Sequence, residues 1–198
     1  MTGIVLSGGE NRRMGTDKAF LKIAGKPMIE HVLTVLRSVA CRIIIVTNSP
    51  QSYGAYDACV VSDALDKRGP LTGIYSGLLH SQDERNIVVA CDMPFLNSRL
   101  ISYMAELAGD EYDVVLPKIG EFVEPLHAVY RRGLLPLVEE HIRKDVRQIK
   151  RLFKEVRVRY VMEAEIDFFD PERLSLKNIN TPEEYKEVAC SELDCRSY

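Results

Sequence analysis

Short, continuous apolar runs alternate along the chain with longer stretches in which apolar side chains recur every three or four positions. Ile4-Val5-Leu6, the run within Arg42 to Thr47, Cys59-Val60-Val61 and the run within Asn86 to Ala90 are short and rich in β-branched residues, so they read as buried strands. Met28, Ile29, Val32, Leu33, Leu36 and Val39 fall at helical spacing behind Gly25-Lys26-Pro27, and another helix opens at Gly69-Pro70 and reaches about Ser81. Each proline suits a helix start. Strands that are continuously apolar and alternate with helices predict an α/β fold: a Rossmann-like three-layer sandwich, mostly parallel, with helices on both faces. In such sheets ligands bind beyond the carboxyl ends of the strands, which places the chemistry after Leu6, Val46, Val61 and Ala90.

The pattern is less regular further on. Asn97 or Ser98 can cap a helix through Leu107, Asp113 to Pro117 and Pro125 to Arg131 read as strands, and Lys118 to Glu124 is a polar connection between them. Helical patterns follow at about Leu134–Ile142 and Val146–Phe153. Val156 to Val161 alternates basic and apolar residues, as an edge strand with one solvated face would. Thr181 as cap and Pro182 at the first position begin a last helix, and residues 190–198 are expected to fray. With no linker, repeat or low-complexity segment, residues 1–198 read as a single domain.

A length of 198 residues, 46% apolar and 28% charged, fits one ordinary globular unit. The net charge of −3 argues against a general nucleic-acid binder, so any anionic ligand is small. Five cysteines are odd in number and scattered, with no C-x-x-C pair, and are expected as reduced thiols in a cytoplasm; a Cys190–Cys195 bridge is the less favoured alternative. No stretch approaches the roughly 20 apolar residues of a membrane span. The first strand begins directly, without a basic-then-apolar leader, so neither a membrane nor secretion is expected.

After the first strand comes Ser7-Gly8-Gly9-Glu10-Asn11-Arg12-Arg13-Met14-Gly15-Thr16-Asp17-Lys18. Gly8, Gly9 and Gly15 let backbone N–H groups approach an anion, with positive φ available at no steric cost, and Arg12, Arg13 and Lys18 add cations. The spacing fits neither the P-loop nor the dinucleotide fingerprint. The whole string from Leu6 to Leu21 resembles the signature loop of nucleotidyltransferases that make a diphosphate bond from a nucleoside triphosphate. Its Asp17-Lys18-Ala19 ending looks most like the molybdenum cofactor guanylyltransferases, the MobA family. That resemblance implies a nucleotide-diphospho-sugar transferase type of fold, a loop from Leu6, Ser7, Gly8, Gly9 and Gly15 around the triphosphate of GTP, and neutralisation of phosphate charge by Lys18. Ser7 stands where the family more usually has alanine.

An aspartate at the mouth of a parallel sheet suits Mg²⁺, which takes carboxylates together with substrate phosphates, and Asp92 follows the fourth strand. A helix cap is the alternative, though Met93-Pro94-Phe95-Leu96 separates it from the next helix; Cys91 to Leu96 also resembles the family's metal-binding strand end. Asn48 and Asp63 end the second and third strands, where an Asx turn or a strand stop would equally explain them. By the resemblance both match residues that bind GTP, and Ser62-Asp63 followed by Lys67 to Ile74 is similar to the nucleoside-reading segment. Gly69, Gly73 and Gly77 recur at every fourth position, a helix face that a base or ribose can approach; packing on a strand is the alternative for Gly77. Asn178 and Asn180 either form turns before the last helix or, by the resemblance, lie by the metal or the pterin. His127 reads as a half-buried structural histidine, with general base as the alternative.

The resemblance implies transfer of GMP from GTP to the terminal phosphate of molybdopterin (Mo-molybdopterin), with release of pyrophosphate and Mg²⁺ as cofactor. Displacement by a ready-made phosphate nucleophile needs positioning and charge neutralisation more than proton abstraction, roles that Arg13, Lys18 and Asp92 can fill. The partners implied are GTP and molybdopterin, with transient contact to other proteins of molybdenum cofactor biosynthesis or to acceptors. Use of CTP or another triphosphate, and a non-catalytic GTP-binding adaptor, are alternatives at this stage.

Overall fold

The computed structural model describes residues 1–8, 17–67, 69–146 and 148–194, the last six of these by backbone alone. A strand β1 (Thr2–Leu6) lies at the centre of the main sheet, paired in parallel with β4 (Arg42–Val46) on one side and β6 (Arg85–Ala90) on the other. From one edge the order runs β10 (Val158–Val161), β7 (Val114–Ile119), β9 (His127–Arg131), β6, β1, β4, β5 (Cys59–Val61). A short antiparallel pair, β2 (Lys22–Ile23) and β3 (Lys26–Pro27), stands apart. The expected mostly parallel sheet is present, with β9 running antiparallel to both its neighbours.

Strand alternation divides the core into two layers. Val5, Ile45, Val89 and Val129 face α1 (Met28–Val39), α3 (Ser98–Leu107) and α6 (Glu163–Phe169); Ile4, Ile44, Val88 and Ala128 face α2 (Pro70–His80), α4 (Leu135–Arg143) and α5 (Ile149–Leu152). Each fully buried leucine or isoleucine contributes about 1.5–3 kcal/mol, so the two layers together fix the sheet. A satellite cluster of Ile23, Met28, Ile179 and Val188 fastens the β2–β3 hairpin and the last helix, α7 (Pro182–Asp194), to one end.

Several boundaries depart from the sequence pattern. Pro27 is the cap of α1 and not its first residue. The polar connection from Lys118 to Glu124 contains a turn at Gly120 (φ 53°) and the strand β8 (Phe122–Val123), which folds back on β7. The helix expected at Val146–Phe153 shortens to α5, and the edge strand expected from Val156 starts at Val158. Helix α6 was not foreseen: its exposed Phe168 blurs the apolar stripe, and its start is held by Glu165 Oε2, which accepts the Met162 N–H. The backbone of α7 is helical to Asp194, and Val188, buried in the satellite cluster, anchors it; residues 195–198 of the tail expected to fray lie outside the described residues. Cys195 and the rest of the tail lie outside the described residues, so the Cys190–Cys195 pairing is not addressed; Cys41, Cys59 and Cys91 are free.

Candidate active site

The carboxyl ends of the four strands named from the sequence lie in register along one edge: Leu6 is level with Val46 and with Ala90, and Val46 with Val61. β1 and β6 continue together past their ends, the Cys91 N–H donating to the Leu6 carbonyl at 3.1 Å. The strand order reverses at this pair, β1 being followed by β4 on one side and β6 by β7 on the other, the switch point at which open α/β sheets bind ligands.

At the β1 side, Ser7 is buried and its Oγ lies 2.5 Å from the Tyr53 hydroxyl, which also donates to Asp17 Oδ2 at 3.3 Å. Burial drives the Tyr53 phenol far above its usual range, so it acts as a neutral spacer. Serine in place of the family's alanine thus gives the Tyr53 hydroxyl a partner. Asp17 in turn accepts the Ala19 N–H at 3.1 Å and starts the 3₁₀ turn Lys18–Phe20. Lys18 is therefore seated in a fixed turn, 7% exposed, and donates from Nζ to Asn180 Oδ1 at 3.1 Å.

Across the mouth, the Asp92 carbonyl accepts the Ile179 N–H at 3.0 Å. Ile179 buries its side chain in the satellite cluster, so in this extended segment its neighbours Asn178 and Asn180 face the opposite way. Asn180 meets Lys18, and Asn178 donates from Nδ2 to Glu124 Oε2 at 3.3 Å. Glu124, 6% exposed, also accepts the Leu126 N–H on Oε1 at 3.0 Å. Burial pushes both Asp92 and Glu124 above the ordinary carboxylate range; Lys18 opposes the shift at Asp92, while the charge of Asp92 adds to that at Glu124. Cys91 beside them is buried and its thiol is pushed up to about 12, first by desolvation and then by Asp92, which makes it inert packing.

Asp92 Oδ1 is buried with no hydrogen-bond partner among the described residues, and so is Asn178 Oδ1. Orphaned oxygens in a mouth that also holds a lysine fit a hard divalent cation or its water shell. No group of three histidine, cysteine or acidic side chains gathers among the described residues.

On the other flank, Asn48 donates from Nδ2 to Asp63 Oδ2 at 3.2 Å, joining the ends of β4 and β5; burial raises the Asp63 carboxyl and this amide lowers it again. Gly69 caps α2 with φ at 136°, a conformation that requires glycine there. The glycine face below it packs on β1: a Cβ at Gly73 would lie 3.2 Å from the Leu6 side chain, and one at Gly77 only 2.4 Å from Ile4 Cγ2. Packing therefore explains Gly77, and Gly73 and Leu6 touch each other at the mouth.

Lys18, Asp92, Asn178 and Asn180 thus lie together at one strand-end mouth, Ser7 stands at the end of β1 beside them, and Asn48 and Asp63 form a second cluster along the same edge. At Gly8 an added Cβ would meet nothing within 4 Å and φ is not positive, so the expected left-handed cradle is not seen at this glycine. Gly9, Arg13 and Gly15 lie outside the described residues. His127 is fully buried rather than half-buried, and desolvation lowers it to about 4, which keeps it neutral. Glu124 and Tyr53 were missed; the signal available for Glu124 was an acidic residue directly before an apolar strand at the ligand-binding edge.

The MobA-like NTP transferase domain family matches residues 3–160. The chain is 39% identical over 189 residues to the molybdenum cofactor guanylyltransferase of Desulfosudis oleivorans, covering 95% of this chain and 94% of that protein. It is 36% identical to a probable molybdenum cofactor guanylyltransferase of Peptoclostridium acidaminophilum, covering 95% and 88%. Among solved structures it resembles the molybdopterin-guanine dinucleotide biosynthesis protein A of Archaeoglobus fulgidus, with a TM-score of 0.84 at 29% identity over 97% of this chain and 100% of that one.

Proposed function

The chain belongs to the MobA-like NTP transferases, and from that premise we propose that it transfers GMP from GTP to the terminal phosphate of molybdopterin, giving the guanine dinucleotide cofactor and pyrophosphate. The observation that carries this reading is the buried Asp92 Oδ1, without a hydrogen-bond partner among the described residues, in a mouth shared with Lys18. Lys18, held by Asn180 and by the turn that Asp17 starts, presents a positive charge to the triphosphate without having to be ordered first. Arg13 adds a second cation in this reading, with Gly9 and Gly15 completing the wrap of Leu6, Ser7 and Gly8 around the phosphates. Asn48, Asp63 and Gly73 hold the nucleoside, and Asn178 and Asn180 close the pocket between nucleotide and acceptor. Asp92, with Asn178 beside it, would hold Mg²⁺, which when bound neutralises charge on the α-phosphate and the departing pyrophosphate.

The acceptor brings its own phosphate nucleophile, so the residues orient and neutralise, and neither His127 nor another general base is needed. No helix among the described residues is long and apolar enough to cross a membrane, and the reading places the enzyme in the cytoplasm, in transient contact with proteins that deliver molybdopterin or receive the product.

Asp92→Asn tests the site. It keeps shape and one oxygen but removes the charge that makes a carboxylate a strong Mg²⁺ ligand, so turnover falls far more than GTP affinity. Melting temperature holds or rises, because a desolvated charge is removed. Unchanged kcat at limiting Mg²⁺ ends the metal reading. Pyrophosphate release measured with GTP, CTP, ATP and UTP tests the base, and a clear preference for CTP replaces the guanylyl assignment by a cytidylyl one.

A further inference from the structure

Glu124 has an arrangement that packing alone does not require. It sits at the connection between β8 and β9, buried, with both oxygens committed to N–H donors: Oε1 to the Leu126 backbone and Oε2 to Asn178 Nδ2. An asparagine amide has a donor end and an acceptor end, and its orientation follows from its partners. A carboxylate that fixes the nitrogen end therefore dictates where the oxygen goes. That oxygen, Asn178 Oδ1, is buried and without a partner among the described residues, as is Asp92 Oδ1, and the two residues are tied together through the Ile179 N–H bond to the Asp92 carbonyl.

We propose that Glu124 is a positioning residue for the divalent-cation site: by holding the Asn178 amide at its nitrogen, it turns Asn178 Oδ1 into the site as a second protein oxygen beside that of Asp92. The proposal rests on the reading of Asp92 as the metal-holding carboxylate. It adds a carboxylate that never touches the cation and acts through the amide it orients.

Glu124→Gln separates orientation from shape. The Leu126 N–H still needs an acceptor, so the introduced side chain keeps its oxygen there and offers its NH₂ to Asn178. Two NH₂ groups cannot satisfy each other, so the Asn178 amide turns over and withdraws its oxygen from the site. Titrating Mn²⁺ alone into the full-length enzyme, followed by electron paramagnetic resonance, is expected to show affinity weakened about 10-fold with melting temperature little changed. Adding Asn178→Asp to Glu124→Gln moves the carboxylate from one side of the pair to the other: it accepts the introduced amide with one oxygen and keeps one for the cation, restoring most of the affinity. Asn178→Asp alone sets two carboxylates together, one of which must take a proton, and does not tighten binding.

The proposal is overturned if Glu124→Gln binds Mn²⁺ as the wild type does, if the double variant is no better than Glu124→Gln, or if Asn178→Asp alone tightens binding as much as it rescues. Asp92→Asn in the same titration keeps the two readings apart. Unchanged Mn²⁺ affinity there removes the metal site and the proposal with it, whereas loss there combined with no effect of Glu124→Gln removes only the role of Glu124.

Discussion

The two ends of one sheet treat their carboxylates in opposite ways. Where the strands end, Asp63, Asp92 and Glu124 are all pushed upward, each first by burial. Where the strands begin, Asp83 and Asp113 are held below their ordinary range, by the Thr2 hydroxyl and the chain's amino terminus in one case and by Arg157 in the other. The rear groups are paired at short range: Thr2 Oγ1 donates to Asp83 at 2.7 Å, Arg157 grips Asp113 through two nitrogens at 2.7 and 3.1 Å, and Arg131 Nε meets Glu84 at 2.9 Å. The front instead leaves Asp92 Oδ1 and Asn178 Oδ1 without partners among the described residues. The rear is not free of orphans, since Asn86 Oδ1 is also without a partner among the described residues, so the contrast lies in the carboxylates: hydrogen-bonded and held down at the rear, desolvated and pushed up at the front, at some cost in stability.

Lys18→Ala should break the comparison most severely, since it removes a buried cation that opposes the upward shift of Asp92. Deleting a preorganised electrostatic stabiliser costs about 10²–10³ in turnover, on the order of 3–4 kcal/mol at the transition state. GTP binding weakens as well, and the fold persists because the rear pairs and both core layers are untouched. Steady-state kinetics alongside thermal unfolding checks this; normal turnover would mean that the front is not an electrostatic site at all.

The fold was legible because its signal is repeated: each central strand is a continuous apolar run, and the runs can only be satisfied between two layers of helices. The strand-end position of Asp92 was legible for a related reason, whereas Lys18 stood out through the loop string that ends in Asp17-Lys18-Ala19; the roles given to both are proposals. Glu124 and Tyr53 were not, because what each does depends on a partner far along the chain, Asn178 at 54 positions from Glu124 and Ser7 at 46 from Tyr53. Helix α6 was hidden because its faces are of mixed character and its stability comes from contacts such as Tyr103 Oη to Glu165 at 2.5 Å. Local pattern reports burial, whereas these residues are defined by tertiary pairing.

Two glycines one turn apart on α2 sharpen the contrast between frame and site. Gly77→Ala forces a methyl within 2.4 Å of Ile4 Cγ2, and overpacking of that kind costs about 1–3 kcal/mol, partly offset by about 0.5–1 kcal/mol gained from replacing glycine in a helix. Gly73→Ala meets only the ends of the Leu6 side chain, at 3.2 Å, which can give way, so stability stays within about 1 kcal/mol of wild type. Leu6 borders the proposed nucleotide site, so here it is GTP affinity that falls. Denaturant unfolding and GTP titration of both variants should therefore separate, with Gly77→Ala moving the first and Gly73→Ala the second. Loss of GTP affinity in Gly77→Ala at unchanged stability would erase the division.

The smallest effect is the most direct test of the two ends, because it reads the sign of each shift. Asp113 has a folded pKa below its unfolded value of 3.8, so its pairing adds stability above that pH and loses it as the pH falls through the folded value. Asp63 is the opposite case: its folded pKa lies above 3.8, so its contribution is fully present below 3.8, and ionisation costs stability as the pH rises through the folded value. Asp113→Asn is therefore expected to melt below wild type at pH 7, the gap closing as the pH drops under 3.8. Asp63→Asn is expected to melt at or above wild type at pH 7, with its advantage fading on acidification as the wild-type carboxyl takes up its proton. Both side chains are partly solvated, so the shifts are about 2 °C or less, and it is their opposite slopes that matter. Melting curves between pH 3 and 8 for the two variants and wild type resolve them, and parallel slopes would mean that front and rear carboxylates are not in opposed environments.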